Sequence, residues 1–248
     1  IWRAIVPATD MIQLFGKSDT GTHCLMGDEF ISENEVRRFN ACMYGELQRS
    51  GKSQPKLIEK TPINAMRISM LSAISPQSQM LHLVRNGIDV VRSIERLSSS
   101  NTYQLSGKGV WNQWWGREHC KWNALVADAS AKGLFLDEIQ ELSTNIEMGA
   151  LEWLLSIGEV NTHRKSLGEK LLEVCYNKMT QDPRDELTAI CNHFGIDPKE
   201  SWLEYCCEQL DSARKNQGED VVLPPKMCEI FNTYQEQYGF EGRAVQSH

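Results

Sequence analysis

Apolar residues recur along this chain in two rhythms. Between Ser32 and Arg49, the residues Val36, Phe39, Met43 and Leu47 fall three or four apart in an otherwise polar segment, which is the spacing of an amphipathic helix. Ser32 stands at the capping position with Glu35 three residues on, a capping box. The stretch Met80 to Val84 follows the other rhythm. Met-Leu-His-Leu-Val is a short, mainly apolar run bounded by polar residues, and it reads as a strand buried on both faces of a parallel sheet. Arg85 ends that run, Asn86-Gly87 makes a turn, and Ile88, Val91 and Ile94 return at helical spacing. Strand, turn and helix form half of a βαβ unit. In open parallel sheets ligands bind beyond the carboxyl ends of the strands, and the first turn of the following helix offers free N–H groups to anions.

Two more segments extend this pattern. Leu57-Ile58, running into Glu59-Lys60, reads as a strand that enters a helix at Thr61 (cap) and Pro62 (first position). Ile63, Met66, Met70, Leu71 and Ile74 would be its buried face, and Pro76 its end. With the strand at Met80 this makes a complete βαβ unit, with Lys60 and Arg85 at one edge of neighbouring or near-neighbouring strands. Leu171 to Tyr176 is a further strand. It is followed by a helix opened by Asp182-Pro183, faced by Leu187, Ile190, Cys191 and Phe194, and closed by Gly195. Residues 134–165 keep a helical pattern, and a last helix runs from Lys226 to Tyr238 before Gly239. Alternating strands and helices predict an α/β fold, a parallel sheet flanked by helices with a helix-rich C-terminal half.

Other stretches are open to two readings. Trp111, Trp115 and Trp122 lie near helical spacing, as a packing stripe or an acceptor-binding platform. The Ser/Asn/Gly-rich residues 97–108 suit a substrate-facing lid or an ordinary connector. Residues 16–22, Gly-Lys-Ser-Asp-Thr-Gly-Thr, have the look of a phosphate cradle, but without an apolar strand before and an apolar-faced helix after they read as a surface loop.

Length and charge narrow the function classes. The 248 residues suit one large α/β domain. A net charge of −7 argues against nonspecific binding to nucleic acid or anionic membrane, while leaving room for a local basic pocket. No apolar run is long enough for a transmembrane segment. Eight cysteines without CxxC pairs suggest a reducing compartment, so a cytoplasmic location is expected, or the Golgi lumen if an anchor lies upstream of Ile1.

Arg85, Asp89 and Ser93 in Leu-Val-Arg-Asn-Gly-Ile-Asp-Val-Val-Arg-Ser resemble the 3′-phosphate-binding segment of sulfotransferases that use 3′-phosphoadenosine 5′-phosphosulfate (PAPS). Glu-Lys-Thr-Pro at 59–62 resembles the segment that precedes it in the tyrosylprotein, carbohydrate and bacterial members. Tyr176-Asn177-Lys178-Met179 and the closing His-Phe-Gly are similar to a later family segment, with Asn177 in place of the family's glutamate. Trp122-Asn123 also has a counterpart. The resemblance, over roughly residues 56–196, implies a P-loop-NTPase-like sulfotransferase fold over the whole chain. It further implies Arg85, Ser93 and Tyr176 at the nucleotide and Lys60 as the catalytic cation on the sulfuryl group. The implied co-substrate is PAPS with adenosine 3′,5′-bisphosphate (PAP) as product, no metal is required, and the acceptor is a small molecule, carbohydrate or peptide. Two family features are not found, the N-terminal strand with its phosphosulfate loop and the glutamate that often follows it. The opening Ile-Trp-Arg-Ala resembles what comes shortly after that region. The expectation is therefore a single sulfotransferase-like domain that lacks this first βα unit. The alternative is a catalytically inactive nucleotide-binding or interaction domain of the same fold.

Overall fold

The computed structural model describes residues 2–11, 21–52, 55–100, 113–210 and 219–247. Their helices are α1 (Trp2–Ile5), α2 (Glu33–Arg49), α3 (Ile68–Ile74), α4 (Gly87–Ser99), α5 (Cys120–Ala131), α6 (Asn145–Leu167), α7 (Tyr176–Gln181), α8 (Pro183–His193), α9 (Glu200–Gln209) and α10 (Pro225–Gln237). The strands are β1 (Met80–Val84), β2 (Leu171–Cys175), β3 (Val221–Leu223) and β4 (Ala244–Gln246). The chain divides into two compact units, the first made of Ile1–Ser78, Leu97–Leu136 and Gly158–His163, the second of Gln79–Arg96, Asp137–Ile157 and Arg164–His248.

In the first unit, Trp2, Ile5 and Val6 join Met26, Met70 and Ile74 in an apolar cluster, and Phe39 of α2 stacks on Trp2 with ring centroids 5.7 Å apart. The capping box expected at Ser32 and Glu35 is formed. Asp128 of α5 is the polar anchor of this unit. Its carboxylate accepts from the backbone N–H groups of Cys24 (2.7 Å) and Leu25 (2.8 Å) and from His23 Nδ1 (2.8 Å), which satisfies a buried acceptor that would otherwise cost folding energy.

The expected strand before Lys60 is not there. Leu57–Lys60 belongs to no strand, and Leu57 and Ile58 are 44% and 71% exposed. The carboxylate of Glu59 instead accepts from Thr61 Oγ1 and from Asn64 Nδ2 (2.5 Å), so local side-chain bonds turn the chain where a ladder would have kept it straight. The helix expected from Thr61 is also broken. Pro62–Met66 forms a 3₁₀ turn, Arg67 leaves helical geometry (φ −131°, ψ 30°), and α3 restarts after it. Of the βαβ unit read across residues 57–84, only the shortened helix α3 and the strand β1 are formed.

In the second unit β1 pairs with β2, parallel and in register from Met80↔Leu171 to Val84↔Cys175. Val84 and Val174 are buried, but Leu81 and Leu83 are 37% and 45% exposed, so β1 is covered less than a strand buried on both faces. Ile88, Val91 and Ile94 of α4 are buried as the spacing predicts. Residues 134–144 are turns and irregular backbone, and the helix starts only at Asn145, behind the capping box of Thr144 and Glu147. The expected caps at Thr61 and Asp182 make no side-chain capping bond. A second parallel pair, β3 with β4, was not foreseen, because three-residue strands carry too little periodicity to detect. Among the described residues no helix is long and apolar enough to cross a membrane.

Candidate functional site

The carboxyl ends of β1 and β2 carry the residues that the sequence singles out. After Val84 the chain passes through Arg85 and Asn86 into α4, and this turn is held by long-range side chains. Asn86 Oδ1 accepts from Ile88 N (2.9 Å) and from Gln235 Nε2 (3.1 Å), Gln235 Oε1 accepts from Gly87 N (2.9 Å), and Asn86 Nδ2 donates to the Glu241 carbonyl (2.7 Å). The donors of Gly87 and Ile88 are therefore taken within the fold. This corrects the expectation that the first turn of α4 offers them to an anion.

Gly87 is required for steric reasons. A Cβ there would lie 2.6 Å from Phe231 Cζ and 3.0 Å from the Trp153 ring, two rings that pack together with centroids 4.7 Å apart. Gly87→Ala is expected to cost about 1–3 kcal/mol through overpacking, read as a lower urea midpoint at unchanged slope.

Arg85 is fixed at its backbone by Trp153, whose Nε1 donates to the Arg85 carbonyl at 3.2 Å. Its side chain remains 35% exposed, with Nη2 3.9 Å from Asp89 Oδ2, a carboxylate only 3% exposed. The guanidinium carbon lies 5.1 Å from the centroid of Tyr176, within cation–π range. Parallel register explains this meeting. Val84 and Cys175 are partners, so the next residues, Arg85 and Tyr176, leave the sheet side by side. Ser93 is half-buried on α4. It lies four residues after Asp89 and so on the same ridge of the helix, one turn farther on. Arg85, Asp89 and Tyr176 are thus brought together, with Ser93 along the same helix face.

Lys60 belongs to the first unit and is exposed, at the turn that Glu59 ties to Thr61 and Asn64. Trp115 is 1% exposed and meets Trp122 edge-on at 5.9 Å, which is the packing reading of the tryptophan stripe. Trp111 and the loop residues 16–20 and 101–108 lie outside the described residues. An open cleft of about 540 Å³ in the first unit is lined by Asp28, Glu33 and Arg37 among others, and its two carboxylates against one cation do not suit a phosphate.

Two groups escaped sequence reasoning. Gln235, 1% exposed, clamps the Asn86-Gly87 turn from residues far along the chain. Glu173 of β2 gathers His82, Arg164 and Tyr238. His82 Nδ1 (3.0 Å) and the Tyr238 hydroxyl (2.9 Å) meet Oε1, while Arg164 Nε (2.6 Å) meets Oε2. A histidine in the middle of the apolar run 80–84 was the available signal.

These elements, with small parallel sheets among many helices, define a sulfotransferase fold. The chain is similar to the solved sulfotransferase domain from the Synechococcus PCC 7002 olefin synthase, with a TM-score of 0.55 and 20% identity, covering 96% of this chain and 83% of that one. It is also similar to the sulfotransferase domain from the curacin biosynthetic pathway, with a TM-score of 0.52 and 14% identity, covering 81% and 68%. No family model matches the chain, and no curated protein matches it in sequence. At these identities the likeness is one of fold.

Proposed function

We propose that this chain is a sulfotransferase that moves a sulfuryl group from PAPS to a hydroxyl or amine acceptor and releases PAP. The observation that carries the reading is Arg85 at the end of β1, set against Tyr176 at the end of the paired strand, in a sulfotransferase fold. A guanidinium forks onto phosphate oxygens in a way few side chains can. In this reading Arg85 grips the 3′-phosphate, Ser93 donates one more hydrogen bond to it, and Tyr176 holds the guanidinium plane beside the nucleotide. Lys60 neutralises charge that spreads over the sulfuryl oxygens as the S–O bond to the phosphate breaks and an S–O bond to a hydroxyl acceptor, or an S–N bond to an amine, forms. The acceptor's proton leaves to a base. Transfer of this kind depends mainly on positioning and charge stabilisation.

The test is thermal melting with PAP, ATP or AMP, followed by transfer from radiolabelled PAPS to a panel of alcohols, phenols and amines. A sulfotransferase is stabilised by PAP and little by ATP or AMP, and it labels at least one acceptor. Lys60→Ala is expected to keep the PAP shift and lose roughly 100-fold or more in transfer, the scale on which removing one charge-stabilising donor acts. A PAP shift without label transfer would instead favour an inactive nucleotide-binding domain of the same fold. No PAP shift would end the proposal.

A further inference from the structure

Among the described residues of the first unit, one arginine has no carboxylate paired with it. Arg67 is 1% exposed, in the break between the 3₁₀ turn and α3. Its Nη2 donates to the Thr9 carbonyl at 3.4 Å, at the limit of a hydrogen bond, and its buried Nε has no partner. Among the described residues, no carboxylate lies within ion-pair distance of it. Glu59 and Asp128 act on it only through space, and both are already occupied. Glu59 accepts from Thr61 and Asn64, and Asp128 from His23, Cys24 and Leu25. Burial lowers its pKa to about 10, so the group is still a cation at neutral pH. A buried cation without a partner is costly, and in folded proteins such charges are paired or neutralised.

We infer that the Arg67 guanidinium receives an oxyanion, so that the first unit holds an anion-binding group of its own. An enclosed guanidinium with an unused Nε–H favours a ligand with two oxygens to fork onto, a tetrahedral sulfate-like group or a carboxylate. Arg67 follows Lys60 by one stapled turn, so the site falls in the segment to which the proposed function gives the sulfuryl group. The anion belongs either to that group or to an acceptor bearing a carboxylate. The site itself does not depend on PAPS being the donor.

The experiment is thermal melting of Arg85→Ala, which removes the other proposed anion site, in sodium sulfate, sodium acetate and sodium chloride at matched ionic strength. Sulfate or acetate is expected to raise the melting temperature saturably by several degrees beyond chloride. Sulfate alone assigns the site to the sulfuryl side, acetate alone to an acceptor carboxylate, and both to a general oxyanion site. Adding Arg67→Met, which keeps the aliphatic stem and removes the charge, should abolish the shift while leaving the anion-free protein at least as stable as its parent. Shifts equal to chloride, shifts that survive Arg67→Met, or a double variant that melts lower or does not fold would each overturn the inference. In the last case the charge already has its partner within the fold. A missing PAP shift in the unmodified protein bears on the proposed function and leaves this inference standing.

Discussion

Arg85→Ala is expected to abolish stabilisation by PAP. A ligand at about 100 times its dissociation constant stabilises by about 2.7 kcal/mol, which in a chain of this size raises the melting temperature by roughly 5–10 °C. The side chain of Arg85 is 35% exposed, and its contact with Asp89 is long, at 3.9 Å. Whatever its loss costs the empty fold, which keeps Asp89 buried, the shift is read within each variant with and without PAP, and at a bound phosphate charge-assisted forked bonds are the strong kind. Arg85→Lys keeps the charge but loses the planar fork and the stacking on Tyr176, and it should retain only part of the shift. Differential scanning fluorimetry with and without PAP reads all three proteins. An unchanged PAP shift in Arg85→Ala would mean that the nucleotide, if bound, sits elsewhere.

Glu173→Gln is expected to produce the largest loss of stability of any single substitution considered. Burial alone would raise the pKa of Glu173, but hydrogen bonds from His82, Arg164 and Tyr238 outweigh it and hold the carboxyl down at about 2. The same contacts act on the partners. Arg164 is raised by its hydrogen bond to Glu173, and the Tyr238 phenol is raised by burial and then by the carboxylate. A carboxyl whose folded pKa lies below its unfolded value stabilises the fold above the unfolded value. That stabilisation fades as pH falls from about 4.5 toward about 2. The linkage is worth up to about 3 kcal/mol at neutral pH. Glu173→Gln should therefore melt lower by roughly 6–10 °C at pH 7, and the gap from the unmodified protein should narrow as pH drops below 4. A gap that stays constant with pH would show that packing, not the charge, is what the glutamate supplies.

The network also shows where sequence reading stops. His82 and Glu173 lie far apart in the chain and meet because β1 and β2 pair in parallel with these two residues opposite each other. Arg164 and Tyr238 arrive from the end of α6 and from the residue after α10. Local periodicity finds the strands but not their register, and register decides which polar side chains share a carboxylate. Arg85 and Tyr176 are a milder case. Each was singled out by resemblance, at the end of its own strand, and only the pairing brings the guanidinium over the ring. At Glu59 the sequence misled, because a short apolar run before a charge reads as a strand whether or not a neighbouring edge exists to receive it. Arg67 gave no signal at all, since nothing in Ala-Met-Arg-Ile distinguishes a buried arginine from a solvated one.

By itself the sequence determined the long, strongly periodic or well-capped elements: α2 behind Ser32, the strand Met80–Val84 with its helix, the strand from Leu171, and the terminal helix. Neighbouring residues fix these through side-chain spacing and caps, so they survive without knowledge of the rest of the chain. Tertiary structure alone decided that Leu57–Lys60 is a turn, that Gln235 locks the entry to α4, and that a carboxylate on β2 gathers three donors. It also decided that the charge of Arg67 is buried. Each of these depends on which distant groups compete for a backbone edge, a hydrogen bond or a share of the water, and that competition exists only once the chain has folded.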